Sequence, residues 1–249
     1  MSSADSATVP GEPSSALEQA VHSADPETIK AAVADPRLTE NLALALLNRV
    51  DLPVEVLEQL GKKAVSNARK VKLALIAHTR TPRYVSIALL RQLFTLDLMQ
   101  VSLTPTIAAD LKMAAEQMLI DRLGTIPSGA RFSLAHRSSG RIAAALLLDP
   151  EDRIRQAALN NARMTEALVV KAITGPKATT ALVRAVCDHP LWSARRDLRV
   201  ALICNAKTPP SRSLEFARGF PVAYVRELLR SSHLPAGIQA RILESLAEE

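Results

Sequence analysis

The chain has 249 residues, of which 48% are hydrophobic and 3% aromatic, with 8 glycines; this is ample apolar surface for a core, drawn from Ala, Leu, Val and Ile rather than from the aromatic pairs of a pleated sheet. Its net charge of +6 and pI near 9.6 direct attention to anionic partners. Cys187 and Cys204 are the only cysteines, so neither a disulfide framework nor a CxxC metal site is indicated.

Residues 1–14, MSSADSATVPGEP and the serine that follows, carry no periodic apolar face and read as a disordered lead-in. No charged n-region and apolar core follow the first methionine, and no apolar run reaches the roughly 18 residues that would span a bilayer. A cytoplasmic protein without membrane insertion is therefore expected. Folding is expected to begin near Ser15, where Ser15 and Glu18 have capping-box spacing. Asp25, Pro26 and Glu27 then supply a cap, a first-turn proline and a first-turn acid for the next helix.

From Ala34 onward the chain matches itself. ADPRLTENLALALL, from Ala34, lies over NNARMTEALVVKAI, from Asn160, at a shift of 126 residues. LALIAHTRTPRYVSIALL, from Leu73, lies without gaps over VALICNAKTPPSRSLEFA, from Val200, at a shift of 127. Ser66, Arg69 and Lys72 fall on Ser193, Arg196 and Arg199, and Leu111, Ala115 and Leu119 on Ile238, Ile242 and Leu246. One duplication of a module spanning about 31–119 and 157–246, with a connecting repeat over 120–156, accounts for all of these matches. Residues 15–249 would then form a single helical-repeat domain.

Within each copy a polar turn with Asp, Asn or His, then Thr or Pro, precedes an apolar run, as in DPRLTENL, HTRTPRYV, NNARMTEA and CNAKTPPS. Thr at the cap, followed by Pro at the first helical position, explains the pattern as helix starts. His78 stands where Asn205 stands in the second copy, which predicts a turn hydrogen bond at both places. Between turns, apolar residues three and four apart, such as Leu42, Leu46 and Leu47 or Leu182, Val183 and Val186, mark short amphipathic helices. None buries its stripe alone, so the fold class is all-α: an α-solenoid of stacked antiparallel helix pairs, about eight of them, with internal duplication. The N-x-x-T-P turn at Asn205 to Pro209 resembles those of the HEAT and armadillo repeats, in particular their degenerate bacterial variants. The resemblance covers about 25–247 and implies a fold rather than an activity.

Charge carries the functional signal. Residues 1–30 hold one basic and five acidic groups, whereas 31–246 hold thirty and eighteen. No acid occurs between Glu58 and Asp97, where eight Lys and Arg fall. Arg69, Lys72, Arg80 and Arg91 recur as Arg196, Arg199, Lys207 and Arg218; on equivalent faces of a solenoid they would form a stripe that a polyanion or an acidic protein could follow. The structural alternative is that they are solvated helix faces, some favoured by the helix dipole. Trp192 reads as a staple of its turn or as a partner anchor. Scarce aromatics weigh against base reading. No nucleophile, Walker, GxGxxG or HExxH pattern is present, so neither an enzyme nor a cofactor is expected. For a glycosylase-type enzyme, Asp97 and Asp197 are the acids to inspect. The expected function is a non-enzymatic scaffold presenting a basic surface to a protein partner, with sequence-tolerant nucleic-acid binding as the alternative. In either case the acidic tail could cover the basic face.

Overall fold

A computed structural model describes residues 13–247. Helices fill it, and no strand occurs among the described residues. The expected tail falls largely outside them. The chain divides at Met118 and Leu119 into two compact units. Unit 1 holds α1 (Pro13–Val21), α2 (Pro26–Ala34), α3 (Glu40–Leu47), α4 (Val54–Lys62), a 3-10 turn (Ala64–Asn67), α5 (Arg69–Ala77), α6 (Arg83–Arg91), α7 (Thr95–Leu103) and most of α8 (Ala109–Arg122). Unit 2 holds α9 (Ser128–Arg137), α10 (Gly140–Leu146), α11 (Asp152–Leu159), α12 (Glu166–Thr174), α13 (Thr180–Asp188), α14 (Pro190–Ser193), α15 (Arg196–Ile203), α16 (Pro210–Arg218), α17 (Val222–Ser231) and α18 (Ala236–Ala247).

Helix starts follow local chemistry. Asp25 accepts from the backbone N–H of Glu27 and Thr28, with Pro26 opening α2. Thr39, Thr165 and Thr179 cap α3, α12 and α13 by accepting from Leu42, Leu168 and Leu182. Two expectations need correction. Ser15 lies inside α1, which starts at Pro13, so it is not a cap. At the Thr-Pro turns the boundary moves by one residue: Pro82 and Pro209 themselves occupy the N-cap, with ψ of 140° and 134°, and make no side-chain cap bond. Thr81 and Thr208 are buried in the turn instead, and the Thr208 hydroxyl donates to the Leu202 carbonyl at 2.7 Å, back into α15.

In each unit a helix packs against its neighbour and against the next but one, as α2 does on α1 and α4, α5 on α3 and α6, and α10 on α9, α11 and α12. Every second helix begins 26 to 29 residues later in unit 1. The elements from α2 to α8, the 3-10 turn included, begin 126 or 127 residues before those from α11 to α18. The interior of unit 1 is lined by side chains such as Leu46, Leu57, Leu75 and Leu90, and that of unit 2 by Leu134, Ile154, Leu182 and Leu202. Gly140, buried at the start of α10, fits because a Cβ there would lie 2.2 Å from the Arg163 carbonyl oxygen.

Turn side chains tie successive helices together. His78 Nδ1 accepts from the Arg80 N–H at 3.3 Å, and its Nε2 lies 2.8 Å from the Arg49 carbonyl; with Nδ1 as acceptor, Nε2 is the donor. Asn205 does the same, accepting from the Lys207 N–H at 2.9 Å and donating to the Ile173 carbonyl at 2.7 Å. Asn161 is the third instance, accepting from Arg163 N–H at 2.7 Å and donating to Ala135 and Ser138. Asp35 keeps only the accepting half, taking the Arg37 N–H at 2.8 Å. The Arg37 side chain hydrogen-bonds the same carboxylate and helps to hold its pKa down at about 2. Having no proton to donate, Asp35 leaves the back-reach to Lys63, whose Nζ meets the Ala34 and Asp35 carbonyls at 2.7 and 2.8 Å.

Asn161 is 4% exposed, so replacing it by Ala strands carbonyls away from water. Urea unfolding of Asn161→Ala is expected to show a loss of about 1–3 kcal/mol at unchanged m. A loss below about 0.5 kcal/mol, within the range of an ordinary surface change, would mean that this tie does not hold the helices together.

Candidate binding surface

The predicted cations occupy three kinds of place. Arg91 and Arg218 close α6 and α16, where a positive charge complements the negative end of the helix dipole. Lys207 donates from Nζ to the Ala178 carbonyl, so it is a tie between helices, and Arg80 is exposed beside the His78 turn. Arg69 and Lys72 stand in the first turn and a quarter of α5, and Arg196 and Arg199 at the same places in α15. There the dipole has the same sign as the side chains and disfavours them.

These helix starts also lack side-chain caps. Ala68 and Arg195 occupy the N-cap positions and neither makes a side-chain cap bond. The first turn of α5 has no acid, and that of α15 has Asp197 alone. First-turn N–H groups, dipole and cations thus add up to positive potential at both places.

Equivalent cations have different partners. The Arg69 Nε lies 2.5 Å from Oδ1 of Asp97, whose side chain is 4% exposed. Arg196, 127 residues later, has its guanidinium carbon 6.0 Å from the ring centroid of Tyr224. That ring stacks on Phe220 at 5.5 Å and 30°. Arg199 donates from Nε to the Ser193 carbonyl at 2.7 Å and lies 5.9 Å from the centroid of Phe216, which also receives Arg212 at 5.2 Å. Lys72 is half-buried. Each unit therefore has its own cationic helix start, at α5 and at α15.

Trp192 belongs to the interior. It is 5% exposed, and its indole N–H donates to the Leu159 carbonyl at 2.9 Å, so the staple describes it and the partner anchor does not. His189, at the cap of the same short helix, lies 6.2 Å from the indole, centroid to centroid, with Nε2 3.3 Å from Asn160 Oδ1. Burial lowers its pKa from the ordinary 6.5. Burial also pushes the Cys187 thiol up to about 11 and raises that of Cys204, which keeps both protonated and unreactive at neutral pH. Asp97 is engaged with Arg69, while Asp197 is exposed in the first turn of α15.

Tyr224 and Phe220 were not among the candidates. The sequence signal was available: at the shift of 127 that relates Arg69 to Arg196, Asp97 falls on Tyr224 and Leu93 on Phe220. Comparing Tyr84 with Ser211 alone hid it. Among the described residues no group of His, Cys, Asp and Glu is placed to hold a metal ion, and no helix is long and apolar enough to cross a membrane. Compared with family models, with curated proteins and with solved structures, the chain matches none.

The lowered pKa of His189 gives a signed pH dependence. The unfolded chain takes up this proton more readily than the folded one, so the contribution of His189 is fully present above pH 6.5 and is lost as pH falls from there towards the lower folded value. The urea midpoint of the wild type is expected to decline over that range, and His189→Gln to flatten that part of the profile. An unchanged slope in the variant would assign it to other groups.

Proposed function

We propose that the chain is a non-enzymatic binding scaffold of HEAT/armadillo-like type, an α-solenoid of stacked helix pairs built by internal duplication, which presents a basic surface to a protein partner in the cytoplasm. The recurrence of helix starts and the packing of each helix on its next-but-one neighbour support the repeat reading. The observation that carries the function is the placement of Arg69, Lys72, Arg196 and Arg199 at uncapped helix starts, against the dipole. A solvated face has no need of that position, whereas an anion recruited from outside would offset its cost.

Nucleic-acid binding is the second reading, favoured by the exposed Tyr224 ring beside Arg196. An aromatic beside an arginine suits a phosphate backbone with an unpaired base.

Reversal of Lys72 and Arg196 to Glu separates these readings while sparing Arg199, which ties α15 to the Ser193 carbonyl. Affinity capture with the wild type is expected to retain proteins that the double variant loses, with circular dichroism unchanged. Labelled single-stranded RNA and duplex DNA are expected to bind weakly at both about 50 and 200 mM salt. Tight oligonucleotide binding that falls steeply over this range, and falls again on charge reversal, would put the nucleic-acid reading first.

A further inference from the structure

Arg196 differs from Arg69 in one respect that bears on a ligand. In unit 1 the guanidinium on the first turn of α5 meets the buried carboxylate of Asp97, from α7. In unit 2 the equivalent arginine on α15 meets Tyr224, from α17, at the position that the 127-residue shift assigns to Asp97. Phe220, replacing Leu93, backs the ring. The arginine is retained and its counter-ion is not.

An arginine does not shed its charge by deprotonation, and the face of a ring attracts the cation without neutralising it. Arg196 makes neither an ion pair nor a side-chain hydrogen bond among the described residues, Asp197 beside it included, and it is exposed. Its five N–H donors have no acceptor there. The ring meanwhile restricts the rotamers of a long side chain, which lowers the entropy lost when a planar, two-oxygen acceptor binds. The dipole of α15, positive at this end, acts in the same direction.

We propose that Arg196, positioned by Tyr224, is the docking point for a carboxylate of an acidic protein segment, which occupies in the complex the role that Asp97 fills for Arg69 within the chain. The inference rests on the scaffold reading above. It favours a carboxylate over a phosphate because the group found at the equivalent place is a carboxylate. Tyr224 is a positioning residue.

Unit 1 supplies the decisive substitution. Tyr224→Asp gives Arg196 the internal counter-ion that Arg69 already has, at a position where the equivalent helix accommodates Asp. Fluorescence anisotropy of a labelled polyglutamate peptide on the full chain at low salt is expected to show binding that Tyr224→Phe preserves. Tyr224→Asp and Arg196→Gln are each expected to weaken it by roughly tenfold. If Tyr224→Asp does not fold, Arg196→Gln, at an exposed position, carries the test. Absence of polyglutamate binding, or equal binding by all variants, overturns the proposal. Stronger binding of a single-stranded oligonucleotide, lost in the same variants, overturns it in favour of phosphate. Partner proteins that remain bound to Arg196→Gln but are lost on reversal of Lys72 would leave the scaffold reading standing and remove this one.

Discussion

An α-helix leaves four carbonyls at its C-terminus without intrahelical partners, and in helices of eight or nine residues this is close to half of the total. How these carbonyls are satisfied governs the rest of the structure. His78, Asn161 and Asn205 solve the problem with one side chain each, bracing their own turn through an acceptor atom and reaching a carbonyl at the end of an earlier helix through a donor. Lys63, Lys207 and Arg49 reach back in the same way from other places in their turns, Arg49 to the Ser23 carbonyl at 2.6 Å. Apolar stripes bring the helices together, but these bonds set which residue faces which. Part of the basic composition is therefore spent inside the fold, and net charge overstates what is available to a ligand.

That distinction separates the cations more sharply than their spacing does. Lys207 and Arg199 were equal to Arg196 as members of a periodic set, yet their nitrogens reach the Ala178 and Ser193 carbonyls. Arg91 and Arg218 stand where a helix favours a cation. Arg69, Lys72 and Arg196 stand where it does not. Two copies of one module have thus kept the same arginine while changing what answers it, from the carboxylate of Asp97 to the ring of Tyr224.

Much of the helical pattern was legible because its determinants are local. The caps at Asp25, Thr39 and Thr165 depend on residues three apart, and the shared behaviour of His78 and Asn205 follows from what the two side chains have in common, an acceptor and a donor on opposite sides. Local reasoning failed where the third dimension decides. Thr81 and Thr208 have the chemistry of caps, but the proline after them holds an extended ψ and takes the cap position, leaving the hydroxyls to the interior. Trp192 could be narrowed to staple or anchor from its neighbours, and only the Leu159 carbonyl 33 residues away distinguishes the two. The pairing of Arg69 with Asp97 and of Arg196 with Tyr224 spans 28 residues, beyond the reach of any helical or turn periodicity.

The back-reaching bonds have a consequence for how the chain is made. Those from Arg49, Lys63, His78, Asn161, Asn205 and Lys207 all close over 23 to 32 residues, which is about one helix pair. A chain whose long contacts are no longer than this has low contact order and folds quickly, because little loop-closure entropy is spent before native contacts form. During synthesis each new helix pair would find its partner already in place, and the acceptor carbonyls would be waiting before the donor side chain left the ribosome. The order of residues along the chain then doubles as the order of assembly.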